Sequence, residues 1–209
     1  MSAIDELKTI LGPQGWLDAA ADVERFCIDW RRKNKGEAML VARPNEVGQV
    51  QEVVRICNRH GIAIVPQGGN SSLAGAAVPN VERPTIILSL GRLNRIREIR
   101  PQGYSMTVEA GCIIQNIQSS AQEADRTLGL DFGARGTAVI GGAIGTNAGG
   151  LNVVRYGPCR DQVMGLEIVL ADGTLIDGLS PLRKDNTGYA MKHLFIGAEG
   201  TLGVVTAAS

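Results

Sequence analysis

The sequence predicts an α+β fold in two lobes, and three observations predict it. A helical hydrophobic period lies between two short apolar runs at 38–65, the order of a βαβ unit. Strand patterns at 85–90, 105–110 and 165–177 follow, the last of them folded back on itself as a hairpin. Glycine, 27 residues of 209, is concentrated in a few segments that break these patterns.

Taken in order, residues 1–36 read as a helical lead-in. AMLVA at 38–42 reads as a strand, followed by Pro44 and by Asn45 as the N-cap of a helix with Val47, Val50, Val54 and Cys57 on one face. Gly61 ends that helix, and IAIV at 62–65 is the second strand, expected parallel to the first. The stretch VPQGGNSSLAGAAVP (65–79) sits at the carboxyl end of that strand, where open α/β sheets bind ligands. TIILSL (85–90) and SMTVEA (105–110) are strands, and after Gly111 a helix presents Ile114, Ile117, Ala121 and Ala124 on one side. Residues 129–150 hold eight glycines in 22 and read as a long irregular segment, which in a compact domain usually serves function. GLEIVLADGTLID (165–177) is a hairpin turning at Asp172-Gly173. NTGYAMKHLFIG (186–197) reads as one short helix and EGTLGVVTA (199–207) as a closing strand. The final GTLGVVTAAS has no terminator, so the chain is expected to be a piece of a longer protein.

Composition narrows the function classes. Positive and negative charges balance at 21 each, which removes the basic field of a nucleic-acid binder. No run approaches the roughly 18 apolar residues of a membrane span. The amino end lacks the layout of a secretory signal, so a cytoplasmic location is expected. Cys27, Cys57, Cys112 and Cys159 are scattered, with two histidines to join them, and read as buried or free thiols with no metal site. Small-molecule chemistry is the leading class.

Backbone N–H groups of a glycine-rich turn converge on one anion, because glycine reaches angles other residues avoid. Gly68, Gly69 and Gly75, with hydroxyls from Ser71 and Ser72, suit a phosphate or pyrophosphate. A Walker loop is excluded because no lysine follows a glycine, and a Rossmann fingerprint because no two glycines are spaced two apart. Together, 66–79, 129–150 and GAEGTLG (197–203) make a groove long enough for an extended dinucleotide.

PQGGNSSLAG, GGAIGTNAGG, RYG, GLEIVLADGT and LRKDNTGYAMKHLFIGAEGTLGVVT resemble the FAD-binding domain of the vanillyl-alcohol oxidase superfamily, within it the FAD-dependent D-2-hydroxyacid dehydrogenases. The resemblance covers roughly residues 29–209. It implies a PCMH-type (p-cresol methylhydroxylase type) FAD-binding domain over 37–209, lobe one about 37–90 and lobe two about 91–209. Lobe one would be small and contain the βαβ unit, and lobe two would hold a larger mixed or antiparallel sheet, with FAD stretched between them. By position, Pro66, Gln67, Gly68, Gly69, Asn70, Ser71, Ser72 and Leu73 would hold the pyrophosphate, with Gly75 keeping the loop's exit tight. Leu130, Asp131, Gly141 and Gly142 would lie beside the flavin ring. Thr146, Asn147, Ala148 and Gly149 would meet the ribityl and pyrophosphate portion, and Glu199, Gly200, Thr201, Leu202, Gly203, Val204 and Val205 the adenine-ribose end. FAD would be non-covalent, because Asn70 stands where covalently flavinylated members carry histidine. This chain departs from the family's usual Thr-Gly at Ser71-Ser72, and from its Pro-Leu-Asp-Leu at Gly129-Leu130-Asp131-Phe132.

The resemblance also implies an activity: oxidation of a D-2-hydroxy acid, D-2-hydroxyglutarate favoured, to the 2-keto acid by hydride transfer to flavin N5. The alternatives are the FAD domain of a D-lactate dehydrogenase or glycolate oxidase subunit, or a free-standing flavin-binding or electron-transfer subunit. The substrate would bind through a C-terminal domain outside this chain, which in the family supplies most of the carboxylate-binding cations, the base and the metal ligands. The electron acceptor is undetermined, and a homodimer is one assembly the resemblance allows.

No catalytic residue is assignable from the sequence. His60 reads as a cap at a helix end, His193 as a half-buried helix residue, and Cys112 as a small core residue. Arg155 and Tyr156 either face a ligand or tie loops together. Lys184, Asp185 and Asn186 precede a helix, where Asn186 or Thr187 caps it or serves the cofactor.

Overall fold

The computed structural model describes residues 2–79 and 82–209. The first lobe contains α1 (Ala3–Leu11), β1 (Trp16–Leu17), α2 (Ala20–Glu24), β2 (Val41–Ala42), α3 (Val47–Arg59), β3 (Ala63–Gln67) and β4 (Thr85–Ser89). Its sheet runs β1-β2-β4-β3. β2 and β3 are both parallel to β4, so the expected strand pair is parallel in direction but separated by β4. All five β4 residues are buried, and a strand buried on both faces takes the centre. Residues of the lead-in contribute directly: β1 pairs antiparallel with β2, and Leu7 and Leu11 of α1 join the core under Val50, Val53 and Val54 of α3.

α3 buries Val50, Val53, Val54, Ile56 and Cys57 on one face, close to the face its periodicity predicts. Its N-cap is Glu46, without a side-chain hydrogen bond, not Asn45. The Asn45 N–H instead donates to Gln49 Oε1 at 3.0 Å, a bond made from inside the helix. His60 is the C-cap, 3.2 Å from Glu6 Oε1 on α1, and Gly61 follows at φ +66°.

The second lobe contains β5 (Ile96–Arg100), β6 (Ser105–Glu109), α4 (Ile114–Glu123), α5 (Ile140–Gly145), α6 (Val153–Tyr156), α7 (Cys159–Gln162), β7 (Leu166–Val169), β8 (Leu175–Asp177), α8 (Lys192–Phe195) and β9 (Val204–Ala208). Its sheet is antiparallel, ordered β5-β6-β9-β7-β8. One face carries Val108, Leu166, Ile168 and Val205 into a core with Ile114 and Ile117 of α4 and Ile140 and Ile144 of α5. On the other face, Val169 and Val204 join the first lobe's core with Val50 and Leu88, so the lobes share apolar contacts. The β7–β8 turn reinforces the junction. Gly173, at φ +82°, presents its carbonyl to Gln51 Nε2 (2.9 Å) and Arg55 Nη2 (3.1 Å) of α3.

Two expected elements are shorter than their patterns. The 186–197 helix is confined to α8, because Asp185 Oδ1 accepts the Thr187 N–H at 3.0 Å and turns the chain before any helix begins. The capping role expected of Asn186 or Thr187 therefore falls away. The closing strand starts only at Val204, after a turn in which Glu199 (φ +51°) and Gly200 (φ +79°) are left-handed. The segment 129–150 is not wholly irregular, since α5 forms inside it. No described helix is long and apolar enough to cross a membrane.

Candidate functional site

The end of β3, the loop after it, α5 and the turn before β9 enclose a cleft of about 360 Å³. From the sequence-predicted set, Pro66, Gln67, Gly68, Gly69, Asn70, Ser71, Ser72, Leu73, Gly141, Gly142, Thr146, Ala148, Glu199, Gly200, Gly203, Val204 and Val205 line it. Three segments far apart in sequence thus meet at one surface. The others stand apart. Leu130 is buried in the second lobe's core, and Asp131 pairs with Arg135 at 2.7 Å. Asn147 Oδ1 accepts the Arg160 N–H at 2.9 Å, while Gly75, Gly149, Thr201 and Leu202 lie outside the lining. Phe132, named from the sequence only within the departing Gly129–Phe132 motif, supplies apolar wall; the sequence reading missed Phe195, Leu90, Ala110 and Val139, which supply more of it. Their only early signal was burial potential, which core residues share.

Loop 66–79 is shaped for hydrogen-bond donation. Pro66 and Gln67 still pair with Leu88 and Ser89 of β4. Beyond them the backbone N–H groups of residues 69–73 donate to no partner among the described residues. Such a run of free donors beside a cleft suits an anion. Asn70 is left-handed at φ +48°, a conformation asparagine tolerates better than most residues, and its Nδ2 donates to the Ile28 carbonyl at 2.8 Å.

The glycines do two different jobs. A methyl group at Gly68 would lie 2.4 Å from Val139 Cγ2, and one at Gly69 would lie 2.0 Å from the Thr137 carbonyl oxygen. These two positions are glycine because the loop closes against residues 137–139. Gly141 likewise abuts Ala110, and Gly200 abuts Pro66. At Gly142 a methyl group would meet only Val139 Cγ2, at 4.0 Å, although Gly142 lines the cleft. Smallness at 142 keeps the cleft open and satisfies no neighbouring chain.

Electrostatically the lining is nearly neutral, with Glu199 its sole charged side chain. Phosphate recognition would therefore fall to backbone N–H groups. His193 does not line the cleft: it is exposed, and Arg160 Nη1 donates to its carbonyl at 2.9 Å. Arg155 lies over the Tyr156 ring and also outside the lining. The four thiols are buried and free; burial pushes Cys112 up to about 11 and Cys57 and Cys159 to about 12. Among the described residues no group of three histidine, cysteine or carboxylate side chains is placed to hold a metal.

The family described as FAD binding domain matches residues 38–178, more than half the chain. The chain belongs to that family. FAD is accordingly its cofactor, and the cleft fits one: backbone donors without partners among the described residues, Glu199 as the sole charged side chain of the lining, and a floor kept low at Gly142. The chain is 44% identical over 203 residues to the probable mitochondrial D-2-hydroxyglutarate dehydrogenase of Oryza sativa subsp. indica, covering 97% of this chain and 36% of that protein. It is 44% identical over 182 residues to the mitochondrial D-2-hydroxyglutarate dehydrogenase of Danio rerio, covering 87% of this chain and 34% of that protein. The chain thus spans about a third of these relatives' length. A solved alkyldihydroxyacetonephosphate synthase superposes with a TM-score of 0.88 at 22% identity over 99% of this chain and 39% of its own, which establishes the PCMH-type fold. The cytoplasmic expectation is corrected here, because both relatives are named mitochondrial and point to that organelle. The absence of a secretory layout does not bear on a mitochondrial location, because a mitochondrial transit peptide has a different composition.

Proposed function

We propose that the cleft holds FAD non-covalently, its pyrophosphate on the backbone of residues 69–73. We propose further that the complete protein oxidises a D-2-hydroxy acid, D-2-hydroxyglutarate before D-lactate, to the 2-keto acid. The observation that carries the cofactor reading is the run of N–H donors without described partners in a wall that holds no cation. The substrate reading rests on the names of the rice and zebrafish relatives. Bound FAD supplies the hydride acceptor. This chain's residues bind and orient it: Phe132, Phe195 and Leu90 exclude water, and loop 66–79 fixes the phosphates. A carboxylate clamp and a base for the hydroxyl proton are needed as well. Glu199 is acidic and does not supply the clamp, so we assign that role to the counterpart of the relatives' remaining length; within the lining Glu199 is the one side chain with the chemistry of a base.

Non-covalent binding follows from Asn70, whose carboxamide is not a nucleophile and is committed to Ile28. Acid precipitation of the yellow protein should leave FAD in the supernatant; colour retained in the pellet would overturn this. The substrate is tested on the full-length protein by anaerobic flavin bleaching. D-2-hydroxyglutarate is expected to bleach the flavin faster than its L-enantiomer and faster than D-lactate. Bleaching by D-lactate alone would leave the FAD site intact and reject the substrate.

A further inference from the structure

Loop 66–79 is gripped from outside by residues 26–36, a segment that precedes the family match and contributes nothing to the cleft lining. Gln67, only 2% exposed, donates from Nε2 to the carbonyls of Phe26 (2.8 Å) and Ala77 (2.7 Å). Asn70 Nδ2 donates to the Ile28 carbonyl. A methyl group at Gly75 would lie 2.4 Å from Asn34 Nδ2, and one at Gly36 would lie 1.6 Å from the Pro79 carbonyl oxygen. The two stretches therefore touch along most of the loop.

The segment's own shape depends on one buried carboxylate. Asp29 is 3% exposed; its Oδ1 accepts the N–H groups of Lys33 (2.7 Å) and Asn34 (3.0 Å), and its Oδ2 accepts Asn34 Nδ2 (3.0 Å). These bonds, with Gly36 N–H donating to the Cys27 carbonyl at 2.9 Å, close the turn that presents the Phe26 and Ile28 carbonyls and the Asn34 side chain to the loop. We propose that residues 26–36 are a strap that sets the shape of the FAD loop, with Asp29 as a positioning residue for cofactor retention. The strap also orients the Gln67 amide: Nε2 is committed to two carbonyls, while Oε1, with no donor among the described residues, remains an acceptor beside the cleft. The proposal rests on the reading of the cleft as the FAD site.

The test compares wild type, Asp29→Ala, Asp29→Asn, and the exchange pair Asp29→Asn with Asn34→Asp. Two readouts are used: FAD Kd from quenching of flavin fluorescence, and chymotryptic cleavage after Leu73 in the FAD-free chain, with cleavage after the exposed Tyr189 as internal control. Asp29→Ala should raise Kd on the order of tenfold, the scale of losing charge-assisted hydrogen bonds. It should also speed cleavage at Leu73 while leaving Tyr189 unchanged. Asp29→Asn keeps the two Oδ1 bonds and should fall between, which preserves the test if the alanine variant does not fold. The exchange pair restores the side-chain bond with donor and acceptor reversed and should recover both readouts. Unchanged Kd and unchanged Leu73 cleavage would overturn the strap, as would faster cleavage at both sites, which signals general destabilisation. A wild-type chain that binds no FAD would overturn the cleft reading alone, because the cleavage comparison still decides the strap.

Discussion

A methyl group on Gly69 would collide with backbone, whereas a methyl group on Gly142 would meet almost nothing, so the two glycines should respond oppositely to substitution. Gly142 lies inside α5 without a positive φ, where alanine is favoured over glycine by about 0.5–1 kcal/mol. Gly142→Ala should therefore raise the Tm of the FAD-free chain while weakening FAD binding, because the added methyl stands in the cleft. Calorimetry with and without FAD checks this, and unchanged affinity would remove Gly142 from the cofactor surface. Gly69→Val should lower both stability and affinity, and more than Ser72→Ala, whose hydroxyl only accepts the Ala74 N–H at 3.2 Å. The sequence marks Gly68 and Gly69 as special, and reads them as room for a phosphate. The structure gives the nearer reason, a carbonyl at Thr137 far along the chain. A contact between such distant residues leaves no trace in local pattern, which is why the reason was hidden while the position was not.

At the scale of elements, the legible ones have a face that repeats and the missed ones do not. α3 and α4 were found because Val50 and Val54, or Ile114 and Ile117, recur at helical spacing. β5 reads Ile-Arg-Glu-Ile-Arg, is exposed over most of its length and sits at the sheet edge, so it lacks the apolar run that marks a strand. α5 holds three glycines in six residues, against its propensity, and forms because Ile140 and Gly141 donate their N–H groups to Cys112 and Ala110 and the helix buries Ile144. β5 carries a network the sequence gives no hint of. Arg97 meets Glu167 through Nη1 and Nη2, both at 3.0 Å, and Glu109 at 3.3 Å; Arg95 adds a 2.9 Å bond to Glu109, and Thr206 Oγ1 donates to Glu167 at 2.7 Å. Burial alone would raise the Glu109 carboxyl, but hydrogen bonds from Arg95, with further help from Arg97, hold it below its ordinary value. A lowered folded-state value contributes stability that is present above the unfolded value and is lost as pH falls through the folded one. Arg97→Met should cost about 3 kcal/mol at pH 7, since two buried carboxylates lose their shared cation. The cost should shrink in acid, where Glu109 is protonated in both proteins. Urea unfolding at neutral and acid pH measures it; a cost independent of pH would mean that Arg97 acts by shape alone.

For the whole molecule, the distribution of charge and apolar surface says what this chain can do unaided. Leu151, Val154, Tyr189, Leu194 and Leu202 of the second lobe are large, apolar and more than half exposed, surface of the kind that a partner or a second copy covers. The isolated chain should self-associate, visible as a concentration-dependent sedimentation coefficient. The cleft lining, with Glu199 as its only charge, offers no cation for a substrate carboxylate and no histidine for a hydroxyl proton. The chain is therefore expected to bind FAD yet leave it oxidised when mixed anaerobically with D-2-hydroxyglutarate or D-lactate. FAD retention and FAD reduction thus separate: the first needs backbone donors, which the cleft has, the second a positioned cation, which the described residues of the lining do not supply. Adding a segment that corresponds to the relatives' remaining length should give bleaching without changing the acid-release behaviour of the flavin. Rapid bleaching in the 209-residue chain alone would point to Glu199 as the acceptor of the hydroxyl proton and would move the active-site assignment into this chain.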